Sequence, residues 1–190
     1  DSRMTARFGL FYGAMFLVVG ILVPFWPVWL RAQGMGPAEI GLLLSAASWV
    51  RAVSNPFIAQ AADRRGDRRG MITGLAFAAV AAYAVFAVAE GFWALMAVTL
   101  VATSLFSAML PLTDTITMQK VRNQGLDYGR VRLWGSLSFI AAAAAGGQVL
   151  TVRPDQVVLW LVLGALTLAA VAALGIPRDE PTTPGQIQQA

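Results

Sequence analysis

The sequence predicts an all-α integral membrane protein with six transmembrane helices. Hydrophobic residues make up 57% of the 190 positions and charged residues only 13%, which leaves too little polar surface for a soluble domain. A helix of about 20 apolar residues spans a hydrocarbon core. Six apolar runs satisfy this length, and they cover residues 8–30, 37–62, 71–89, 92–119, 132–150 and 156–175. Because the connectors are short, neighbouring helices should run antiparallel.

The first span carries aromatic residues near its end and small residues near its start. Trp26 and Trp29 lie at its predicted outer end, as Trp93 does at the start of the fourth span. Tryptophan is enriched at membrane interfaces, so we expect belt anchoring, with the lining of an outer cavity as the alternative. Gly9 and Gly13 are four residues apart and predict a close contact between helices.

The second span contains an arginine within its apolar run. Ser48, Arg51 and Asn55 are spaced at i, i+3 and i+7, so they share one helix face. A charge at the centre of a membrane helix costs about 2.5–3.5 kcal/mol on insertion scales and usually faces a cavity on a solute path. The alternative for Arg51 is a side chain that reaches toward the membrane surface.

The fourth and fifth spans carry the other polar groups. Thr103, Ser107 and Asp114 are spaced at i, i+4 and i+11 on one face of the fourth span, and Arg132 begins the fifth. The third and sixth spans are nearly pure Ala, Val, Leu and Phe. We therefore expect spans one, two, four and five to surround a polar cavity, and spans three and six to face lipid.

Prolines hint at an internal repeat. Pro24 and Pro27 interrupt the later part of the first span, and Pro111 interrupts the later part of the fourth. Proline in corresponding spans of two halves is typical of inverted-repeat transporters. We therefore predict two three-helix inverted repeats; the alternative is the general enrichment of proline in membrane helices.

Basic residues predict the orientation, because cytoplasmic flanks carry an excess of Lys and Arg. One set of flanks holds Arg3, Arg7, Arg64, Arg65, Arg68, Arg69, Lys120, Arg122, Arg130 and Arg178, and the opposite set holds only Arg31 and Arg153. Both termini should be cytoplasmic. Residues 1–176 are then the helical bundle, and residues 177–190 are a cytoplasmic linker.

The composition argues against several classes of protein. The chain has no Cys and no His, which removes thiolate chemistry and the commonest metal ligand. It has no nucleotide-binding loop, catalytic triad or cluster of metal ligands. We expect no enzyme activity, no cofactor and no metal. Nucleic-acid binding is not expected either, because the basic residues lie in short gaps between apolar runs. Any proton carried here must ride on a carboxylate.

The loop between the second and third spans carries a recognisable motif. Residues 63–69 read DRRGDRR, with a glycine turn, an acid at a helix end and a basic cluster. This resembles the signature loop of the major facilitator superfamily. The resemblance implies half of a twelve-helix fold, in which Asp63, Arg64, Gly66 and Arg68 hold the cytoplasmic gate against a second six-helix half. That missing half is an expected partner, and we expect this chain to be a fragment or half-length product.

A second motif joins spans four and five. Residues 111–114 read PLTD and residues 128–132 read YGRVR. This is similar to the phenylpropionate permease group and, more distantly, to the lactose permease group of oligosaccharide and nucleoside proton symporters. The resemblance implies that Asp114 and Arg132 pair in the substrate site and that Phe139 stacks on a flat substrate. The alternatives are a structural salt bridge near the interface and ordinary packing of Phe139.

The resemblance also implies a function. We expect a secondary active transporter of the bacterial inner membrane that takes up a small organic solute, such as an aromatic carboxylate, with protons by alternating access. Arg51 and Asn55 would belong to the same substrate and coupling site. The expected partners are the solute, protons and the lipid bilayer. The alternatives are a sugar or nucleoside proton symporter and a non-transporting membrane scaffold or sensor.

Overall fold

The computed structural model describes residues 2–178, and most of them are helical. The helices are α1 Ser2–Ala32, α2 Pro37–Arg65, α3 Arg68–Val85, α4 Phe92–Ser107, α5 Met109–Gln124, α6 Tyr128–Val152 and α7 Val157–Ala173. Only Ala108 separates α4 from α5, and together they form one 33-residue stretch, Phe92–Gln124. The described residues thus hold six helical elements in the predicted order. Apart from Pro177 and Arg178, the predicted linker lies outside the described residues.

The prolines act differently in the two spans predicted to correspond. The α1 helix runs unbroken through Pro24 and Pro27. The fourth span does break, at Ala108, three residues before Pro111. A proline ring clashes with the carbonyl four residues earlier, which here is that of Ser107, so the break has a local cause. The predicted interruption is therefore wrong for the first span and confirmed for the fourth.

Three of the helical elements are long and apolar enough, by length and composition alone, to cross a membrane. They are Ser2–Ala32, Phe92–Gln124 and Tyr128–Val152; Val157–Ala173 is apolar but shorter. The α2 helix has 29 residues, which is more than a bilayer requires, and the α3 helix has 18, which is close to that length. Their lower hydropathy comes from charged residues, including Arg51 within α2 and Arg68 and Arg69 at the start of α3.

The packing follows a two-fold pattern. The α1 helix packs chiefly against α6 and α7, and the α4–α5 stretch packs chiefly against α2 and α3. The α3 and α7 helices pack against each other. When α1, α2 and α3 are exchanged for the α4–α5 stretch, α6 and α7 respectively, the same set of contacts is reproduced. Because each repeat has three consecutive helical elements joined by short connectors, the second begins at the opposite end of the bundle from the first, so the repeats are inverted.

The contact between α1 and α6 depends on close approach at glycines. A β-carbon at Gly20 would lie 2.8 Å from the carbonyl oxygen of Phe139 and 2.8 Å from the β-carbon of Ala142. One at Gly9 would lie 2.9 Å from the ring of Trp134. These approaches confirm that the small residues of α1 serve helix packing. We call this contact the α1–α6 seam.

The end of the bundle that carries Arg64, Arg65, Arg68, Arg69, Lys120 and Arg122 is called the basic end. There Gly66 caps the end of α2, and its φ of +67° favours glycine. Asp67 caps the start of α3, where its side chain accepts a hydrogen bond from the amide of Gly70 at 2.8 Å. Arg69 Nη2 donates to the carbonyl of Leu174 at 2.6 Å. The start of α3 is thus fixed to the end of α7.

Candidate functional site

A cavity of about 590 Å³ opens among α1, α2, α3, α4 and α6. Its polar lining residues are Ser48, Arg51, Asn55, Thr99, Thr103, Ser107 and Arg132, together with Tyr83. Helices α1, α2, α4 and α6 were predicted to surround it, and all four do. The prediction that the third span only faces lipid is wrong, because Tyr83 of α3 and Phe86, the residue that follows this helix, line the cavity. A span can line a cavity with aromatic side chains and without charged groups, so the apolar composition of the third span did not reveal its position.

Arg51 projects into this cavity from the middle of α2. Its Nη2 donates to Ser48 Oγ at 3.2 Å, and Ser48 Oγ donates to the carbonyl of Leu44 at 3.2 Å. Among the residues that the structure describes, no carboxylate lies within ion-pair distance of Arg51. The guanidinium therefore keeps most of its donors available to a solute.

Asn55 connects α2 to α4. Ser107 Oγ donates to Asn55 Oδ1 at 2.7 Å, and Ser107 is the last residue of α4 before the break. The polar faces predicted for the second and fourth spans therefore meet at this hydrogen bond. Both side chains also line the cavity. The amide nitrogen of Asn55 stays available to the cavity as a donor.

Arg132 reaches the cavity from the second turn of α6. Its guanidinium carbon lies 4.0 Å from the ring centroid of Phe16 and 6.0 Å from that of Tyr12. Stacking on an aromatic face stabilises a cation by roughly 0.5–2 kcal/mol and leaves the edge of the guanidinium open. Both rings belong to α1, so this helix holds the arginine in place.

Asp114 lies beside the cavity without lining it. Its carboxylate accepts a hydrogen bond from the Tyr12 hydroxyl and another, at 3.4 Å, from the Tyr128 hydroxyl. Tyr12 Oη also lies 3.2 Å from Thr117 Oγ1. Within residues 2–178, no ion pair joins Asp114 to Arg132. The direct pair expected from the resemblance is thus not formed here, because Tyr12 bonds the acid while its ring faces the arginine.

Phe139 is half-buried in α6 and is not among the cavity-lining residues. Its backbone instead packs against Gly20 in the α1–α6 seam. The prediction that this ring faces the solute does not fit the structure. The seven-residue spacing from Arg132 predicts nearly the same helix face, but this face rotates by about 20° over seven residues. The close approach of α1 at Gly20 then holds the backbone of Phe139 in the seam.

Four other aromatic residues line the cavity and form what we call the aromatic wall: Trp26, Tyr83, Phe86 and Phe106. The ring centroids of Trp26 and Phe86 lie 4.9 Å apart, and those of Tyr83 and Phe106 lie 6.4 Å apart, both edge to face. Sequence reasoning missed all but Trp26 as cavity residues. The signal available was the spacing of Tyr83 and Phe86 at i and i+3 on one face of the third span.

The tryptophans divide into two groups. Trp26 is 7% exposed and stacks at 4.6 Å on Trp29, which is 2% exposed. Belt anchoring is therefore wrong for both, and the alternative of a cavity lining holds for Trp26. Trp93 is 78% exposed at the start of α4, as a residue at a membrane interface would be.

Comparisons with known proteins place this architecture in a family. The model of the MFS_1 like family matches residues 5–187. The chain belongs to the major facilitator superfamily. It is 35% identical over 195 residues to the "Probable 3-phenylpropionic acid transporter" of Escherichia coli (strain K12), covering 95% of this chain and 50% of that protein. It is 30% identical over 181 residues to the "Maltose permease" of Geobacillus stearothermophilus, covering 95% of this chain and 46% of that protein.

The fold of this facilitator chain matches a solved structure as well. Its similarity to the crystal structure of the nucleoside transporter NupG has a TM-score of 0.80 at 17% identity, over 98% of this chain and 46% of that one. The chain spans about half the length of the curated relatives it matches. It has the architecture of half a facilitator, in a family whose members are membrane transporters.

The facilitator signature loop lies at the basic end. Asp63 Oδ1 accepts a hydrogen bond and ion pair from Arg68 Nη2 at 2.6 Å, across the turn made by Gly66. Arg64 is exposed. Three of the four predicted gate residues thus form one compact turn. Contact of this turn with a second half stays a prediction.

Thr99 is a polar site residue that sequence reasoning did not identify. It is 6% exposed, it lines the cavity, and its Oγ1 has no hydrogen-bond partner among the described residues. A buried hydroxyl without a partner costs about 1–3 kcal/mol. A solute or a water molecule in the cavity could satisfy it, which makes Thr99 a candidate contact in this facilitator.

Proposed function

We propose that this chain is half of a secondary transporter that takes up a small aromatic carboxylate with protons by alternating access. One observation carries the proposal. The described residues that line the cavity include two arginines and an aromatic wall but no Asp or Glu. Such a lining favours a flat anion over a cation or a neutral polyol. The similarity to the "Probable 3-phenylpropionic acid transporter" of Escherichia coli supports that chemistry.

The carboxylate would bind at Arg51, with Arg132 as a second cation. A guanidinium presents parallel donors that match a carboxylate, and such charge-assisted bonds are stronger than neutral ones. Arg51 has only the Ser48 hydroxyl as a partner in the described residues, so a solute anion would supply the missing counter-charge. Arg132 is held by Phe16 rather than by an acid, and it would approach the anion from the basic end.

The ring of the solute would pack on the aromatic wall. Trp26, Phe86 and Phe106 offer edges and faces on the side of α1, α3 and α4. Aromatic pairs contribute roughly 0.5–1.5 kcal/mol beyond the burial of their area. Asn55 would add an orienting donor between ring and carboxylate. Phe139 does not line the cavity and is not part of this contact.

Asp114 is the proposed proton carrier of this half. Two tyrosine hydroxyls donate hydrogen bonds to its carboxylate. A proton that binds Asp114 would convert one oxygen to a donor and break that pattern. The Tyr12 ring, which also faces Arg132, would then move, so proton binding and the position of the arginine are coupled in this proposal.

We propose that the chain needs a partner to enclose a solute. The α2 helix exposes an apolar stripe that includes Leu42, Trp49 and Val53. The α6 helix exposes Leu133, Leu137 and Ile140. We propose that a second six-helix half covers both stripes and closes the cavity, with Asp63, Arg64 and Arg68 at the gate. The basic end would be cytoplasmic, in a bacterial inner membrane, by the positive-inside rule.

The test is uptake of radiolabelled 3-phenylpropionate by cells that express the chain together with its second half. Replacing Arg51→Gln should reduce uptake at least tenfold, because a charge-assisted bond contributes about 1.5–3 kcal/mol. The matched control is Arg31→Gln, an exposed arginine outside the cavity, which should leave uptake unchanged. Uptake that survives Arg51→Gln would contradict the assignment of the anion site.

Proton coupling has its own test. Asp114→Asn should abolish protonophore-sensitive accumulation while exchange of internal for external solute continues, since exchange needs no net proton movement. Accumulation that persists in this variant would place the coupling acid elsewhere.

A sugar or nucleoside proton symporter is the second candidate. The Asn55–Ser107 pair and the hydroxyls of Ser48 and Thr103 suit a polyhydroxylated solute. Uptake of neutral solutes decides between the two candidates: uptake of radiolabelled maltose or uridine that an excess of phenylpropionate does not reduce would favour the symporter of neutral solutes.

A further inference from the structure

A second hollow lies outside the cavity, on the surface of α1, α6 and α7. Its volume is about 780 Å³. The walls come from small and apolar side chains, with a few hydroxyls; they include Ala6, Leu10, Ala14 and Leu17 of α1, Trp134 of α6, and Leu168 and Val171 of α7. The residues that line it do not overlap those of the solute cavity. We call this hollow the α1–α7 groove.

The groove ends at two arginines. A smaller hollow of about 440 Å³ is lined by Ser2, Arg3, Met4, Arg7 and Pro177, and Ser2 lines both hollows. Arg3, Arg7, Leu10, Ala14 and Leu17 are separated by four, three, four and three residues. This spacing places them in one stripe along α1. The stripe thus changes from cationic to apolar as it enters the groove.

The length of the groove matches one leaflet. From Ala6 to Leu17 the α1 helix rises about 17 Å at 1.5 Å per residue. One leaflet contributes half of a hydrocarbon core that is about 30 Å thick. An acyl chain that extends from the headgroup region to the middle of the bilayer would follow the groove over its whole length.

We propose that the α1–α7 groove binds one acyl chain of an anionic phospholipid, whose phosphate lies against Arg3 and Arg7. Both arginines are exposed, and no described residue that lines either hollow is acidic. The two cations select a net negative headgroup over a zwitterionic one. The apolar groove that continues from them selects a lipid over a free phosphate. This proposal is independent of what the solute cavity carries.

The experiment titrates the full chain, purified in a neutral maltoside detergent, with phosphatidylglycerol. Binding is measured by native mass spectrometry and by the rise in the unfolding midpoint. Arg3→Gln and Arg7→Gln should each weaken binding about fivefold, and the double variant about 25-fold, from about 1 kcal/mol per basic residue near an anionic lipid surface. The matched control is Arg65→Gln with Arg122→Gln, two exposed arginines of the same end that adjoin neither hollow. An equal loss in that control would overturn the site.

Further arms separate the sources of binding. Phosphatidylcholine should bind the unaltered chain about 25-fold more weakly than phosphatidylglycerol, and equal binding would overturn the selection by charge. Glycerol 3-phosphate should give no stabilisation; stabilisation equal to that by the lipid would show an anion site without a role for the groove.

Leu168→Trp fills the groove without altering the arginines, since Leu168 is exposed on α7. It should reduce phosphatidylglycerol binding while the helix content, measured by circular dichroism, stays unchanged. Unaltered binding in this folded variant would overturn the acyl-chain contact. A lipid-independent dimer that Leu168→Trp disrupts would show that a second copy, and not a lipid, covers the groove.

Discussion

Two contacts between helices hold this bundle together in contrasting ways. The α1–α6 seam is close, with glycines of one helix facing rings or backbone of the other. The contact of α2 with α4 is polar and looser: α2 buries only Leu43 and Ala62, and its link to α4 is the hydrogen bond from Ser107 to Asn55. The α1–α6 seam depends on shape, whereas the α2–α4 contact depends on a few polar groups that also face the cavity.

The difference would suit the alternating access proposed above. Lipid tails are as apolar as the helices, so packing and hydrogen bonds, not hydrophobic burial, decide how membrane helices associate. A close seam resists deformation because interiors at high packing density have no alternative arrangement nearby. A contact that depends on a few polar groups can rearrange at lower cost than a close seam, so α2 is the helix that we expect to shift in the proposed alternating access.

The largest loss of stability is expected at Gly20, where the backbones of α1 and α6 approach each other. In Gly20→Ala the new methyl group would lie 2.8 Å from the carbonyl oxygen of Phe139, which cannot move without α6. Forced overpacking costs about 1–3 kcal/mol. The variant should show a lower unfolding midpoint in detergent and poor expression.

The matched control is Gly74→Ala, because a β-carbon there has no neighbour within 4 Å. It should be neutral or stabilising by up to about 1 kcal/mol, since alanine favours a helix. Equal destabilisation by both variants would mean that the α1–α6 seam is no tighter than the rest of the bundle.

A smaller effect is expected at Gly146, in the same seam. There the new methyl group would meet the ring of Phe25, at 2.5 Å from Cε2, instead of backbone. A ring can rotate away, so Gly146→Ala should cost less than Gly20→Ala, about 1 kcal/mol. The double variant Gly146→Ala with Phe25→Leu should recover part of the loss in the unfolding midpoint. A loss larger than that of Gly20→Ala would reverse the ranking within the seam.

The polar contact should respond more weakly still. Asn55→Leu and Ser107→Ala each remove one partner of the 2.7 Å hydrogen bond, and a double-mutant cycle should give a coupling of about 0.5 kcal/mol in the free energy of unfolding. Transport should suffer more than stability, because both groups line the cavity. A coupling well above that would show α2 to be held as firmly as α6.

The smallest change in stability is expected at Thr99. Thr99→Val keeps the shape and removes a buried hydroxyl that has no partner in the described residues, so the protein should be unchanged or slightly stabilised. If the hydroxyl binds solute, the variant should lose uptake of hydroxylated analogues selectively, as measured by competition. Loss of stability would show that the hydroxyl has a structural partner such as bound water.

Helix number and the polar faces could be predicted because both are local properties. Apolar length gave the six spans, and the period of the helix placed Ser48, Arg51 and Asn55 on the face that lines the cavity. The Asp114–Arg132 pair and the role of Phe139 could not be predicted from spacing. Tyr12 of α1 bonds the acid, and Gly20 of α1 holds the backbone of Phe139, and both are contacts across more than 100 residues.

The amino-acid sequence by itself determined that this chain is a helical membrane protein with charged groups among its spans, because burial in lipid imposes length and composition on each helix separately. Only the tertiary structure decided which groups meet. Trp26 lines the cavity instead of the membrane interface, and α3 also contributes to the cavity wall. Tyr12 lies between Asp114 and Arg132. The physical reason is that a helix fixes the face of each side chain, but the rotation and approach of its neighbours are fixed by packing at small residues.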